Sequence, residues 1–187
     1  SGQNLFKNKL RFDFLTGPGD FRDGNSTFYR AGVRWRAAAK TTGDIRIGVS
    51  ERELEATGQR TFRGGSWVAS VIWQAAAGTT VTAQTSQSEG ESFIGNSPVI
   101  VNHTHAVTWQ QNVTQRLSAT LGGSLIESEF IDIGREEDLI NIGLSLSYQA
   151  ARYFAVNGSV NHAERESTEP NNNFDSLSVV TGIRISL

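Results

Sequence analysis

At 187 residues the chain can form one sizeable core or one closed β-barrel, and a formal net charge of −2 gives no reason to expect a nucleic-acid partner. It contains no cysteine, which excludes a disulfide framework and a thiolate metal site. No run approaches the roughly 18 consecutive apolar residues of a transmembrane helix, and a hydrophobic content of 37% fits either a soluble protein or a barrel in which only alternate residues meet lipid.

Helical periodicity is scarce, and the chain reads as a series of strands divided by turn signals. Strands are expected at Leu5 to Leu15, Thr27 to Ala39, Asp44 to Leu54, Gly64 to Ala76 and Thr79 to Ser88. Five more are expected at Val99 to Gln111, Arg116 to Glu129, Glu137 to Gln149, Tyr153 to Arg165 and Phe174 to Leu187. The stretch "GVSERELEATGQR" is the best helical candidate, and it reads better as a strand end entering a polar loop. The chain starts at "SGQN", which looks like a processed or engineered start; a secretory signal peptide would already be gone, so its absence carries no information.

The connections between these strands alternate in length. "KTTG", "AAG", "NVTQ" and "AAR" are short, whereas "TGPGDFRDGNS", "EATGQRTFR", "QSEGESFIGNSP", "FIDIGREE" and "ESTEPNNN" are longer and polar. Sorting by end in this way is the habit of up-and-down membrane barrels, with short periplasmic turns and longer outer loops. The expected fold is therefore all-β: an up-and-down antiparallel transmembrane β-barrel of about ten strands. Both termini fall on the short-turn, periplasmic side, and residues 1–187 form a single barrel domain.

Parity separates two faces. One carries Ala31, Val33, Ile45, Ile47, Val71, Val107, Leu121, Ile142, Leu144 and Val179. Aromatic residues sit at its ends: Trp35, Trp73, Trp109, Tyr148 and Phe154 lie beside short turns, while Tyr29, Trp67 and Phe14 lie toward the long loops. Core aromatics of a soluble sandwich would gather mid-strand, whereas two end girdles suit membrane interfaces, so this face is expected to touch lipid. Only Lys7, Lys9 and Lys40 of the 17 basic residues are lysines, and the opposite face of the later strands is Ser, Thr, Asn, Gln and Gly. That composition suits a barrel lumen better than a solvated exterior.

These features, with the last strand "SLSVVTGIRISL", resemble bacterial outer-membrane β-barrels. The terminal Leu187 departs from the aromatic that usually ends such chains. The second half, with "LSLSYQAARYFAVNGSVNHAERES" and "FDSLSVVTGIRISL", also resembles outer-membrane porins linked to exopolysaccharide export. Those porins are larger barrels, so the chain would be a piece or a smaller relative of one. The resemblance implies an outer-membrane location in a Gram-negative bacterium. It also implies contact with the bilayer and lipopolysaccharide, handling by the outer-membrane insertion machinery, and export-system subunits as partners.

The polar face of the early strands is basic: Arg11, Arg30, Arg34, Arg36, Arg46 and Arg52, with Arg184 in the last strand. If the tenth strand closes on the first, these arginines share one lumen wall. Such a wall favours anions or sugar hydroxyls and carboxylates. The alternative is internal pairing, with Asp13 on the wall and Glu51, Glu53 and Glu55 at its upper end. The opposite wall would be Ser118, Thr120, Ser124, Asn141, Ser145, Ser147, Asn157, Ser159 and Asn161.

No cofactor is expected. His103 and His105 lack a convincing third metal ligand, and His162 stands apart. The oxygen-rich groups Asp20, Asp23, Asn25 and Glu169, Asn171, Asn172, Asn173, Asp175 are explained by turn formation. No nucleophile elbow or phosphate loop is present. The leading function is a pore or transport barrel passing small or anionic solutes, or a component of polysaccharide export. A plugged interaction barrel is the alternative, ahead of a membrane-embedded hydrolase or a soluble ligand-binding barrel.

Overall fold

A computed structural model describes residues 11–21, 24–37, 39–54, 60–94, 97–131 and 133–185. Ten strands follow one another: β1 (Arg11–Phe21), β2 (Gly24–Ala37), β3 (Thr41–Leu54), β4 (Arg60–Ala76), β5 (Thr79–Ile94), β6 (Ser97–Asn112), β7 (Leu117–Phe130), β8 (Arg135–Ala151), β9 (Phe154–Ser167) and β10 (Phe174–Ile185). They form one sheet in sequence order, and every neighbouring pair is antiparallel. This is the expected up-and-down arrangement. The first expected strand begins at Leu5, so its opening residues lie outside the described ones.

Strands of 14 to 17 residues are common here. About 9–11 residues suffice to span a bilayer, so the hairpins project well past an apolar layer. Several connections expected as long loops are in fact ladder. "TGPGDFRDGNS" is mostly strand, pairing Gly17 with Phe28, Gly19 with Ser26 and Phe21 with Gly24. Likewise β5 continues to Ile94 and β6 starts at Ser97. Gly, Asn and Asp mark where a chain can turn, but they do not stop the flanking backbone from pairing across the hairpin. Pro18 lies within this paired β1–β2 stretch, opposite Thr27.

The short end keeps tight turns. Gly78 has φ +76°, the left-handed region that glycine enters without a Cβ penalty. The turn before β7 is held by the Thr114 hydroxyl, which accepts from the Arg116 and Leu117 amides at 3.1 and 3.0 Å.

Exposure runs opposite to that of a soluble sheet. Along β8 the residues Ile140, Ile142 and Leu144 are exposed, while Leu139, Asn141 and Gly143 between them are half-buried. Ile47 is 62% exposed, Val49 60% and Leu177 69%. The buried apolar side chains among the described residues are few: Val99, Val101, Ala119, Phe130 and Ala155. A continuous apolar face of this extent left open to water would be unfavourable, and lipid is the solvent it suits.

Among the described residues, no ladder joins the last strand to the first. β1 and β10 are the two free edges of the sheet, so Arg184 and β1 stand at opposite ends of the strand order. A sheet edge in lipid leaves backbone N–H and C=O groups unpaired, which only closure resolves.

Candidate functional site: the polar face of the sheet

The polar face begins on β2 and β3. Cross-strand register places Arg34 opposite Asp44, Gly32 opposite Arg46, and Arg30 opposite Gly48. Each of the two glycines makes room for the arginine beside it. A Cβ on Gly48 would come within 2.5 Å of both the Arg30 Cγ and the Tyr29 carbonyl oxygen, and one on Gly32 within 2.5 Å of the Arg46 Cγ. The arginine stems therefore lie flat on the neighbouring strand. Arg46 forms an ion pair with Asp44 at 3.0 Å, and the Ser70 hydroxyl donates to Asp44 at 2.7 Å. Arg34 and Arg36 are exposed and have no ion-pair partner among the described residues. Arg11 stands opposite Arg34 and Arg52 opposite Ser26 in the backbone register; their side chains lie outside the description.

Glu51 was expected near the arginine wall, but it faces the other way. It shares the apolar face with Arg63, which donates through Nε at 2.8 Å and lies 2.7 Å away through Nη2. Glu53, Glu55 and Asp13 have side chains outside the described set. The carboxylate that does meet the wall is Asp44, which sequence parity alone could have flagged because it alternates in phase with Arg46.

Toward the long-connection end, Arg135 pairs with Glu137, approaches Glu169 at 4.0 Å, and stacks 4.8 Å from the Phe130 ring centre. Arg165 lies 5.0 Å from the Phe174 ring. The Glu89 carboxylate accepts from the Ser50 hydroxyl and lies where a Gly64 Cβ would be. Its Oε1 is buried without a hydrogen-bond partner among the described residues.

Between Arg184 near the short turns and Arg135 and Arg165 near the other end, the later strands present an uncharged stretch. A cavity of about 250 Å³ is lined by Ser118, Thr120, Ser145, Ser147, Asn157 and Ser159 with Leu146, Gly158, Val180 and Gly182. A second, of about 530 Å³, opens at the short-turn end beside Asn112, Thr114, Arg116 and Gln149, and shares Ser118 and Ser147 with the first. Hydroxyl and amide groups thus run continuously from the short-turn mouth up this wall.

Charge is sorted between the faces. Among strand residues with described side chains, register puts Arg30, Arg34, Arg36, Arg46, Arg135, Arg165 and Arg184 on the polar face, with Asp44 and Glu137 as carboxylates there; Glu89, which register sets opposite Val101, joins them through its side-chain contact with Ser50. The apolar face carries Glu51, Glu127, Glu129, Glu136, Asp138, Glu164, Glu166 and Asp175 toward the long-connection end, and Arg63 is its single arginine. A net charge near zero conceals this separation.

The aromatics follow the apolar face. Trp73 and Trp109 share a rung through Val81, and Tyr148 stands between Leu117 and Val156. Trp73, Trp109 and Tyr148 are exposed. Trp35 lays its ring over Gly43, where no Cβ would fit. Phe154 sits at the start of β9 opposite Ile185. Tyr29 and Trp67 lie higher, Tyr29 in one rung with Val49 and Gly65, and Trp67 in the next rung with Ile47. The Trp67 indole donates to Gln87 at 3.0 Å.

The histidines are also on this face. His105 meets Thr85 at 2.7 Å and Glu127 at 3.7 Å, while His162 meets Asp175 at 3.3 Å and Glu164 at 4.0 Å. His103 stands opposite Gln87 and Glu127. Among the described residues no three metal-type ligands converge.

No curated protein matches the chain. The family described as putative beta-barrel porin 2 matches residues 6–187, so the ten-stranded antiparallel sheet is the sheet of a membrane barrel and the chain belongs to that porin family.

Proposed function

We propose that the chain is a pore of the bacterial outer membrane that passes small anionic solutes along its arginine-bearing inner face. The observation that carries this reading is the sorting of charge, with seven arginines against three carboxylates on the polar side. Fixed positive groups along a confined aqueous path attract anions and repel cations, and Arg34 and Arg36 are the exposed members of the set. Closing β10 on β1 pairs both free edges and brings Arg184 to the same wall as Arg34. About ten strands then enclose a narrow path, since eight leave an interior filled by side chains and 16–18 leave an open channel.

The uncharged middle stretch of β7–β10, between Arg184 at one end and Arg135 and Arg165 at the other, supports a role in sugar export as well. Hydroxyl and amide groups such as Ser145, Asn157 and Ser159 exchange hydrogen bonds with a sliding sugar chain without trapping it by charge. In that role the barrel works beside export subunits and among lipopolysaccharide.

The test is electrical. Inserted into a planar bilayer under a potassium chloride gradient, the chain should conduct, with a reversal potential on the chloride side. A conducting barrel with potassium preference removes the arginine wall as the filter. A folded barrel that never conducts makes it a plugged interaction barrel.

A further inference from the structure

We infer that the apolar face holds a binding site for one lipid with a net anionic phosphate headgroup, its phosphate on Arg63 and its acyl chain over Gly65. A notch of about 470 Å³ opens there, walled by Tyr29, Val49, Glu51 and Arg63, with Gly65 in its floor. Tyr29, Val49 and Gly65 form one rung across β2, β3 and β4, and Glu51 and Arg63 form the rung above on β3 and β4.

Three features select this occupant. First, the floor is missing a side chain. A Cβ built on Gly65 meets nothing within 4 Å, so the gap is open to what lies outside the barrel. Second, the rung order places apolar and aromatic groups below and a guanidinium above. Trp67 lies one rung below Gly65 and Arg63 one rung above, which matches an acyl chain, an interface and a headgroup in turn. Third, charge singles the place out. Arg63 is the lone arginine on a face whose other described charged strand residues are carboxylates. It is 79% exposed, and Glu51 holds its Nε and Nη2 edge. A guanidinium has five N–H donors, so the remaining edge is oriented and available to phosphate oxygens.

The inference rests on the apolar face meeting lipid and is independent of conduction. Its test is native mass spectrometry of the full chain in mild detergent, with equal concentrations of dioleoyl phosphatidylglycerol and dioleoyl phosphatidylcholine. The anionic lipid should be retained more, by up to the about fivefold effect of one uncompensated arginine at a lipid surface, since Glu51 offsets part of the Arg63 charge. Arg63→Gln should abolish that preference with the notch intact. Gly65→Leu should fill the notch and lower retention of both lipids. Gly158→Leu is the control, because Gly158 has the same open Cβ direction, pairs with Leu146 on the apolar face and has no arginine on its rung. Circular dichroism reports that each variant keeps its strands. Equal retention of the two lipids by the native chain overturns the site. So does a loss with Gly158→Leu as large as that with Gly65→Leu, which would mean general annular lipid.

Discussion

Asp44 and Arg46, two residues apart on β3, form an ion pair at 3.0 Å even though the backbone register sets Asp44 opposite Arg34. One carboxylate therefore answers one guanidinium of the wall and leaves Arg34 exposed. The partners are partly exposed, at 35% and 21%, so the pair contributes at most about 1 kcal/mol to stability. Asp44→Asn should keep the fold and strengthen chloride preference. Reversal potential under a salt gradient checks this, and an unmoved potential would show that Asp44 does not face the conducting path.

Reversing Arg34 and Arg46 together to Glu changes four units of charge on adjacent strands. Cation preference should follow in the same bilayer measurement. An open channel with unmoved selectivity would mean that ions pass elsewhere than along β2 and β3.

Leu121 and Ile142 are exposed on the apolar face near mid-strand, whereas Ser145 lines the polar cavity. Arg at either of the first two should destabilise the lipid-embedded barrel by about 2–4 kcal/mol. Arg at Ser145 should cost much less. Folding titrations in lipid vesicles compare them, and equal costs would contradict the assignment of the faces.

Gly48→Ala presses a methyl against the Tyr29 carbonyl oxygen and the Arg30 stem, each at 2.5 Å. A destabilisation of about 1–3 kcal/mol is expected from such crowding. Gly158→Ala meets nothing within 4 Å and should be neutral within about 0.5 kcal/mol. The difference between the two in a denaturant titration is the measurement. If Gly48→Ala proved as mild as Gly158→Ala, the close packing of Arg30 on β3 would be wrong.

Alternation along "LINIGLSLSY" was enough to place Ile140, Ile142, Leu144 and Tyr148 on one face and Asn141, Ser145 and Ser147 on the other. A period of two follows from the backbone geometry of a single strand, so strands, faces and the up-and-down order were legible without any partner. The place of Arg34 and Arg46 on the polar face was legible for the same reason. The carboxylate that meets them was legible in the same way but was missed: Asp44 alternates in phase with Arg46, whereas Glu51, expected at the upper end of the wall, alternates with Val49 and pairs with Arg63 on the apolar face. The hairpin ends at Phe21 and Gly24 also escaped, since Gly, Asn and Asp permit a turn without saying which residues flank it. The notch at Gly65 depends on Tyr29, Val49 and Arg63 arriving from three strands. Cross-strand register is set by hydrogen bonding between segments far apart in the chain, and only the assembled sheet decides it.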